Sequence, residues 1–166
     1  PAAVLPGRVA EQHLGAVAAD PDTGHRGGLV LHVQDPRQVQ AGAAVTLDEK
    51  LADAAEVQRV TGCCPTLAVH VLWDFPNGLA DVDPVLEAAH KSGISIGAIN
   101  PNTFQHQIYK HGSLGSPEEP ARTAALEHLL DSVEIGKRTG SRDVSLWFAD
   151  GSSYPGAANI RQRRQW

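Results

Sequence analysis

The chain has little of what marks secreted, zinc-binding or membrane-spanning proteins. Its 166 residues include only two cysteines, Cys63 and Cys64, which are adjacent. Adjacent cysteines strain an intramolecular disulfide and match no zinc motif, so a reducing compartment is expected. No run approaches the roughly 20 apolar residues of a membrane-spanning helix, and the N-terminal residues lack the pattern of a secretory signal. We therefore expect a cytoplasmic protein.

Basic charge is not in excess either. The formal net charge is -5, whereas nucleic acids and anionic membranes favour basic surfaces. We therefore expect neither a nucleic acid nor a membrane as partner, and a small neutral substrate remains open. Hydrophobic residues make up 42% of the chain and charged residues 20%, which suits one soluble domain with a core.

A first helix and strand are marked by their end signals. Thr46 and Glu49 form a capping-box pattern, apolar residues follow at helical spacing, and Gly62 is a left-handed stop. Residues 66–72 then form a short apolar run typical of strands that are buried on both faces of a parallel sheet.

A second unit repeats this arrangement. Asp83 is the predicted N-cap, with Pro84 at the first helical position and Gly93 as the stop. The predicted strand covers residues 94–100, and a long polar loop follows over residues 101–115. Loops of this length inside a compact domain are often functional.

A third unit opens with a capping-box pattern at residues 116–119 and runs as a helix to Gly140. Residues 143–148 are the predicted third strand, and residues 149–156 form a loop. A last helical stretch is predicted over residues 159–166. Strands that alternate with helices require parallel pairing, so the fold class is α/β.

Side chains suited to chemistry follow each predicted strand. In parallel α/β folds the sites lie at the carboxyl ends of the strands. Two of the three tryptophans lie there, and flat apolar faces beside hydrogen-bonding groups suit a sugar. The residues, strand by strand, are His70, Trp73 and Asp74; Asn100, Asn102 and Phe104; and Trp147, Asp150 and Ser152.

Each of these residues also has a structural interpretation. A histidine or an aromatic residue at a strand end is more often part of the core than of a site, which applies to His70, Phe104 and Trp147. Asp74 and Asp150 could simply shape turns. Other polar side chains are interpreted as solvent-exposed: His106 and His111 in the loop, and the arginines of residues 161–164.

Taken as whole segments, these residues resemble the L-rhamnose isomerase family of bacterial sugar isomerases. The segments are Thr-Leu-Ala-Val-His-Val-Leu-Trp-Asp at 66–74, Ile-Asn-Pro-Asn-Thr-Phe-Gln at 99–105, and Gly-Ser-Arg-Asp-Val-Ser-Leu-Trp-Phe-Ala-Asp-Gly-Ser-Ser-Tyr-Pro-Gly at 140–156. The resemblance covers about residues 46–166 and is most specific at 146–152. Residues 1–45 match poorly, and residues 27–36 are either a divergent strand and loop or out-of-frame sequence.

The resemblance implies the N-terminal part of a (β/α)8 TIM-type barrel, with about three β/α units and no closure. It also implies an aldose-ketose isomerase that interconverts L-rhamnose and L-rhamnulose, with divalent metal ions such as manganese, and a tetramer at full length. By position, His70 matches a histidine that binds the sugar and opens its ring, and Asp74 would orient it through the ring nitrogen. Trp73, Phe104 and Trp147 match the aromatic wall of the pocket.

The metal ligands of that family lie on later strands, so no metal ligand is assigned in this chain, and the chain alone is expected to be inactive. Two alternatives stay open. One is another xylose-isomerase-like barrel enzyme, such as a sugar epimerase or a metal-dependent phosphodiesterase. The other is a non-catalytic fragment that acts only by association with another chain, through exposed strand edges and an apolar face.

Overall fold

The structure, a computed structural model, describes residues 42–148, 150 and 159–166, together with the backbone of residues 29–30. Helices and parallel strands alternate along the described chain. In order they are β1 (Leu29–Val30), α1 (Leu47–Thr61), β2 (Thr66–His70), α2 (Val71–Asp74), α3 (Val82–Lys91), β3 (Ser95–Asn100), α4 (Glu119–Thr139) and α5 (Ile160–Arg163).

The end signals of α1 are confirmed. Thr46 Oγ1 accepts a hydrogen bond from the Glu49 N–H, and Glu49 Oε2 accepts one from the Thr46 N–H, which completes the capping box. Gly62 ends the helix in the left-handed conformation, with φ of 70°. Gly140 ends α4 in the same way. These ends are set by local hydrogen bonds and backbone conformation, so the local sequence identifies them.

The strands are parallel and lie in chain order, β1-β2-β3. β1 lies within the poorly matching segment 1–45 and pairs with Leu67 and Ala68. On the other side of the sheet, β3 pairs with the predicted third strand at one position only, between Ile99 and Val144. Ile99 donates to the Asp143 carbonyl and accepts from the Ser145 N–H, so this segment also runs parallel to β3.

The predicted strand at residues 143–148 is therefore wrong in extent, because its pairing is limited to a single bridge. Its outer residues are exposed in the described part of the chain, with Leu146 at 49% and Phe148 at 50%. The direction of the segment beside β3 agrees with the predicted unit.

Three other element boundaries, the end of one strand and the starts of two helices, differ from the prediction for local reasons. The first strand ends at His70 rather than at residue 72, because Asp74 of the helical turn α2 accepts the His70 N–H. A 3-10 turn, Gly78–Asp81, leads directly into α3, so Asp81 takes the N-cap position predicted for Asp83. Glu118, not Ser116, precedes α4, and Ser116 Oγ instead accepts the Glu118 N–H.

The core lies where the apolar residues of β2 and β3 pack against the helices. Leu67, Val69 and Ile99 are fully buried in the sheet, and Leu51 of α1 and Ile135 of α4 are fully buried against it. Because the faces of the sheet are covered, a site is expected at the carboxyl ends of β2 and β3 and in the loops that follow them. Within the described ranges no helix is both long enough and apolar enough to cross a membrane.

Candidate functional site

The ends of β2 and β3 lie side by side. His70, the last residue of β2, pairs with Asn100, the last residue of β3. His70 is 4% exposed, and Asn102, two residues beyond β3, is also 4% exposed. Because parallel strands end at the same edge of a sheet, the residues that follow them meet there. The first two predicted strand ends are thus brought together.

Trp73 stacks on His70. The short helix α2 starts directly after His70, so Trp73 lies about one helical turn further on and faces the same side. The ring centroids are 3.8 Å apart, with an angle of 28° between the ring planes. The indole is half-buried and provides an aromatic surface beside the imidazole.

Asp74 is bound to the main chain of His70 and to a lysine that the sequence analysis did not single out. Its Oδ2 atom accepts the His70 N–H at 2.6 Å and the Lys50 ammonium at 2.6 Å. Burial lowers the pKa of Lys50, and Asp74 partly opposes that shift through its charge and hydrogen bond. Asp74 therefore fixes the strand end; its predicted catalytic role, through the imidazole ring, stays a prediction.

Asn102 connects the two strand ends. Its Oδ1 accepts hydrogen bonds from the N–H groups of Phe104, at 3.3 Å, and Gln105, at 3.0 Å. Its Nδ2 donates to Gln105 Oε1 at 2.7 Å and lies 3.5 Å from His70 Nε2. One buried amide thus sets the loop that carries Phe104 and also reaches the imidazole of His70. The position of Asn102 after a strand was the signal available in the sequence.

His128 on α4 contacts the main chain of Asn102. Its Nε2 atom accepts the Asn102 main-chain N–H at 2.9 Å, so the ring carries its proton on Nδ1 in the neutral form. Burial lowers the pKa of His128, and Asp131 on the same helix opposes the shift. No local pattern marks this role, because the contact spans 26 residues.

Phe104 and Trp147, which the sequence assigned to the aromatic wall, are in contact. Their ring centroids are 4.9 Å apart, and the ring planes are tilted by 54°. Trp147 is 67% exposed, so most of its surface is open to a ligand or to another part of a larger protein. Phe104 is half-buried. Trp73, on the far side of Asn102, reaches this pair through His70 and the Asn102 amide.

Asp150 holds the loop after β3 against the third strand end. Its carboxylate accepts hydrogen bonds from the Ser113 N–H, from Ser113 Oγ at 2.5 Å and from the Gly115 N–H at 3.2 Å. The guanidinium of Arg163 donates to the Asp150 carbonyl and, at 3.3 Å, to the His111 carbonyl. Asp150 therefore joins two loops through hydrogen bonds and does more than shape a turn. Ser152, the other polar residue predicted at this strand end, lies outside the described residues.

The described ranges contain no group of three or more histidine, cysteine, aspartate or glutamate side chains that could hold a metal ion. His106 and His111 are exposed, as interpreted from the sequence. His106 Nδ1 accepts the Ile108 N–H, and His111 Nδ1 lies 2.9 Å from Glu118. The described side chains therefore do not fit a divalent metal centre. They can bind and orient a polar ligand that has an apolar face.

The comparisons with known proteins find two relatives named as probable sugar isomerases. No family model matches the chain. A protein of Rhizobium meliloti named a probable sugar isomerase is 38% identical over 117 residues, which is 68% of this chain and 26% of that protein. A probable sugar isomerase of Mesorhizobium japonicum is 36% identical over 125 residues, or 72% of this chain and 28% of that protein. The chain thus spans about a quarter of the length of these relatives, and the similarity supports sugar isomerases in general.

Proposed function

We propose that this chain supplies the sugar-binding wall of an aldose-ketose isomerase of the L-rhamnose isomerase type. The observation that carries the proposal is the continuous series of contacts along one edge of a parallel sheet. Trp73 stacks on His70, His70 approaches Asn102, and Asn102 holds the loop of Phe104, which meets Trp147. The names of the two relatives support sugar isomerisation, and the resemblance of the strand-end segments narrows the proposal to L-rhamnose and L-rhamnulose.

The arrangement suits a sugar chemically. Aromatic faces cover the C–H face of a sugar, and the amide and imidazole groups bind its hydroxyls. In this proposal His70 binds the sugar and moves a proton between its hydroxyl and ring oxygens as the ring opens. The aromatic residues exclude water and hold the open chain for the exchange of hydrogen between C1 and C2. Asp74 and Lys50 keep His70 in place.

The divalent metal, manganese in the proposal, is assigned to parts of the full-length isomerase other than the described residues, since these do not group suitable ligands. The described side chains are therefore given binding, positioning and proton movement alone. The resemblance also leads us to propose a tetramer in the cytoplasm for the full-length protein.

A (β/α)8 barrel is the proposed architecture. The parallel strands lie side by side in chain order, and the Val144 bridge continues this order beside β3. Strands follow one another in the same way around a barrel. Doubly wound open sheets instead reverse direction at a switch point, which supplies their binding crevice. The described strands contain no such reversal.

A second candidate is a chain that acts only by association with another chain. Exposed apolar residues along the segment that borders β3 favour it: Val144, Leu146, Trp147 and Phe148. Sheet edges of this kind invite pairing. A measurement that shows concentration-dependent self-association and no sugar binding would support this candidate.

The test combines sugar binding with turnover. Saturation-transfer NMR of the purified chain with L-rhamnose is expected to show contact with the aromatic protons, and Trp147→Ala and His70→Ala are expected to weaken it. His90→Ala is the matched control, because His90 is exposed on α3. An L-rhamnose to L-rhamnulose assay with Mn²⁺ is expected to show no turnover for this chain alone. In a full-length protein that carries this sequence, unchanged kcat and KM for both variants would contradict the assignment.

A further inference from the structure

His128 lies on α4, away from the strand ends, yet it completes the hydrogen bonds of the residue at the centre of the site. Asn102 is 4% exposed, and a buried main-chain N–H needs an acceptor. In this structure the acceptor is His128 Nε2, at 2.9 Å. The N–H of a residue that follows a strand is thus bound by a side chain of the helix behind the sheet.

The orientation of Asn102 sets three other groups. Its side-chain oxygen accepts hydrogen bonds from the N–H groups of Phe104 and Gln105, and its side-chain nitrogen lies 3.5 Å from His70 Nε2. A rotation of the Asn102 main chain would therefore move both the aromatic residue and the amide that faces the imidazole. The hydrogen bond of His128 goes to the Asn102 main chain, so its effect on the proposed site passes through Asn102.

We propose that His128 is a positioning residue of the sugar site, which holds the strand-end loop through the Asn102 N–H when its ring is neutral and releases that loop when the ring is protonated. This inference rests on the proposed function for its effect on sugar binding. Its structural part, the control of Asn102, stands without it. A protonated imidazole carries N–H groups at both ring nitrogens, so Nε2 would face the Asn102 N–H donor to donor.

The surroundings of His128 favour the neutral ring. Burial lowers its pKa, and Asp131, one turn further along α4, is the charge that opposes the shift. Asn102, whose main-chain N–H faces the ring from the loop, is neutral. On the other side of Asn102, its side-chain amide lies 3.5 Å from the titratable ring of His70. Release of the loop is thus expected on the acid side of the ordinary histidine value of 6.5.

The test is amide hydrogen exchange of the full 166-residue chain, read at Asn102 as a protection factor so that the intrinsic pH dependence of exchange is removed. His128→Gln replaces the ring with an acceptor that does not titrate, and His128→Leu removes the acceptor. His90→Gln is the control, and protection of Leu51 in α1 reports whether each variant is folded. A hydrogen bond of ordinary strength predicts a loss of roughly fivefold or more in protection for His128→Leu.

The wild type is expected to lose protection at Asn102 as the pH falls below 6.5, and His128→Gln is expected to keep it. Equal protection in wild type and His128→Leu, or the same acid loss in His128→Gln, would overturn the inference. If His128→Leu does not fold, the wild type and His128→Gln still decide it. Sugar binding is measured on the same samples. Asn102 exchange that follows His128 without any sugar binding would contradict the proposed function and leave the control of Asn102 standing.

Discussion

Lys50 Nζ lies 2.6 Å from Asp74 Oδ2, and both side chains are only 1% exposed. Lys50 comes from the first turn of α1, and Asp74 ends the helical turn that follows β2, so the pair joins the first long helix to the proposed site. Two charges in such a place are costly to desolvate, and each needs the other. The same Asp74 oxygen also binds the His70 N–H.

Removal of one charge of this pair is expected to destabilise the protein strongly. Lys50→Met leaves a buried carboxylate without its counter-ion, which costs about 3 kcal/mol or more of unfolding free energy. Asp74→Leu leaves a buried ammonium and is expected to cost a similar amount. The double variant is expected to lose much less than the sum of the two single losses. Urea denaturation of the four proteins measures this coupling.

The exposed pair Glu56–Arg59 provides the control, because its side chains are 60% and 69% exposed. Arg59→Ala is expected to leave the urea midpoint nearly unchanged, since water screens such pairs. Additive losses for the Lys50 and Asp74 variants would show that the buried pair does not act as a unit.

A β-carbon at Gly112 is expected to break the connection between the two loops. Gly112 has φ of +115°, and an added Cβ would lie 2.7 Å from Asp150 Oδ1. Gly62 has φ of +70° and open space around it, so Gly62→Ala reports the backbone effect alone, about 1 kcal/mol. Gly112→Ala is expected to cost roughly 1 kcal/mol more, because Asp150 must give up bonds to Ser113 and Gly115. Denaturation curves give the difference, and amide exchange at Ser113 locates it; equal losses would mean that Asp150 moves freely.

The start of α1 offers a test at a purely local level. Thr46→Ala removes the hydroxyl that accepts the Glu49 N–H and is expected to cost about 1 kcal/mol. Thr46→Ser keeps the hydroxyl and is expected to stay close to wild type. Both are measured by thermal or urea unfolding. A Thr46→Ser variant as unstable as Thr46→Ala would assign the loss to the methyl group instead of the cap.

Features that depend on neighbouring residues are predictable from the sequence, whereas features that depend on distant residues are not. Thr46, Gly62 and Gly140 act through bonds and backbone angles within a few residues, so their signals in the sequence were sufficient. The segment at 143–148 does not extend as a strand, because strand length depends on partners elsewhere, and among the described residues it pairs with β3 at Ile99 alone.

The same separation holds at the site. The resemblance assigned Phe104 and Trp147 to one aromatic wall, and in the structure the two rings are in contact at the edge where parallel strands end. The roles of Lys50 and His128 were not predicted. Lys50 lies 24 residues from its partner Asp74, and His128 lies 26 residues from its partner Asn102. No periodicity or motif marks such a pairing. Only the packing of α1 and α4 against the sheet reveals it.

The stability of the protein is expected to depend on pH through His128. Burial lowers its pKa in the folded state below the ordinary value of 6.5, so the unfolded chain binds more protons in the window just below that value. Its contribution to stability is therefore complete above pH 6.5 and is lost as the pH falls through the lowered folded value. Glu118, whose pKa is lowered by its hydrogen bond to His111, acts only below about pH 4.5 and does not overlap. Urea midpoints between pH 5 and pH 8 are expected to fall more steeply in the wild type than in His128→Gln, and parallel curves would show that another group titrates in this window.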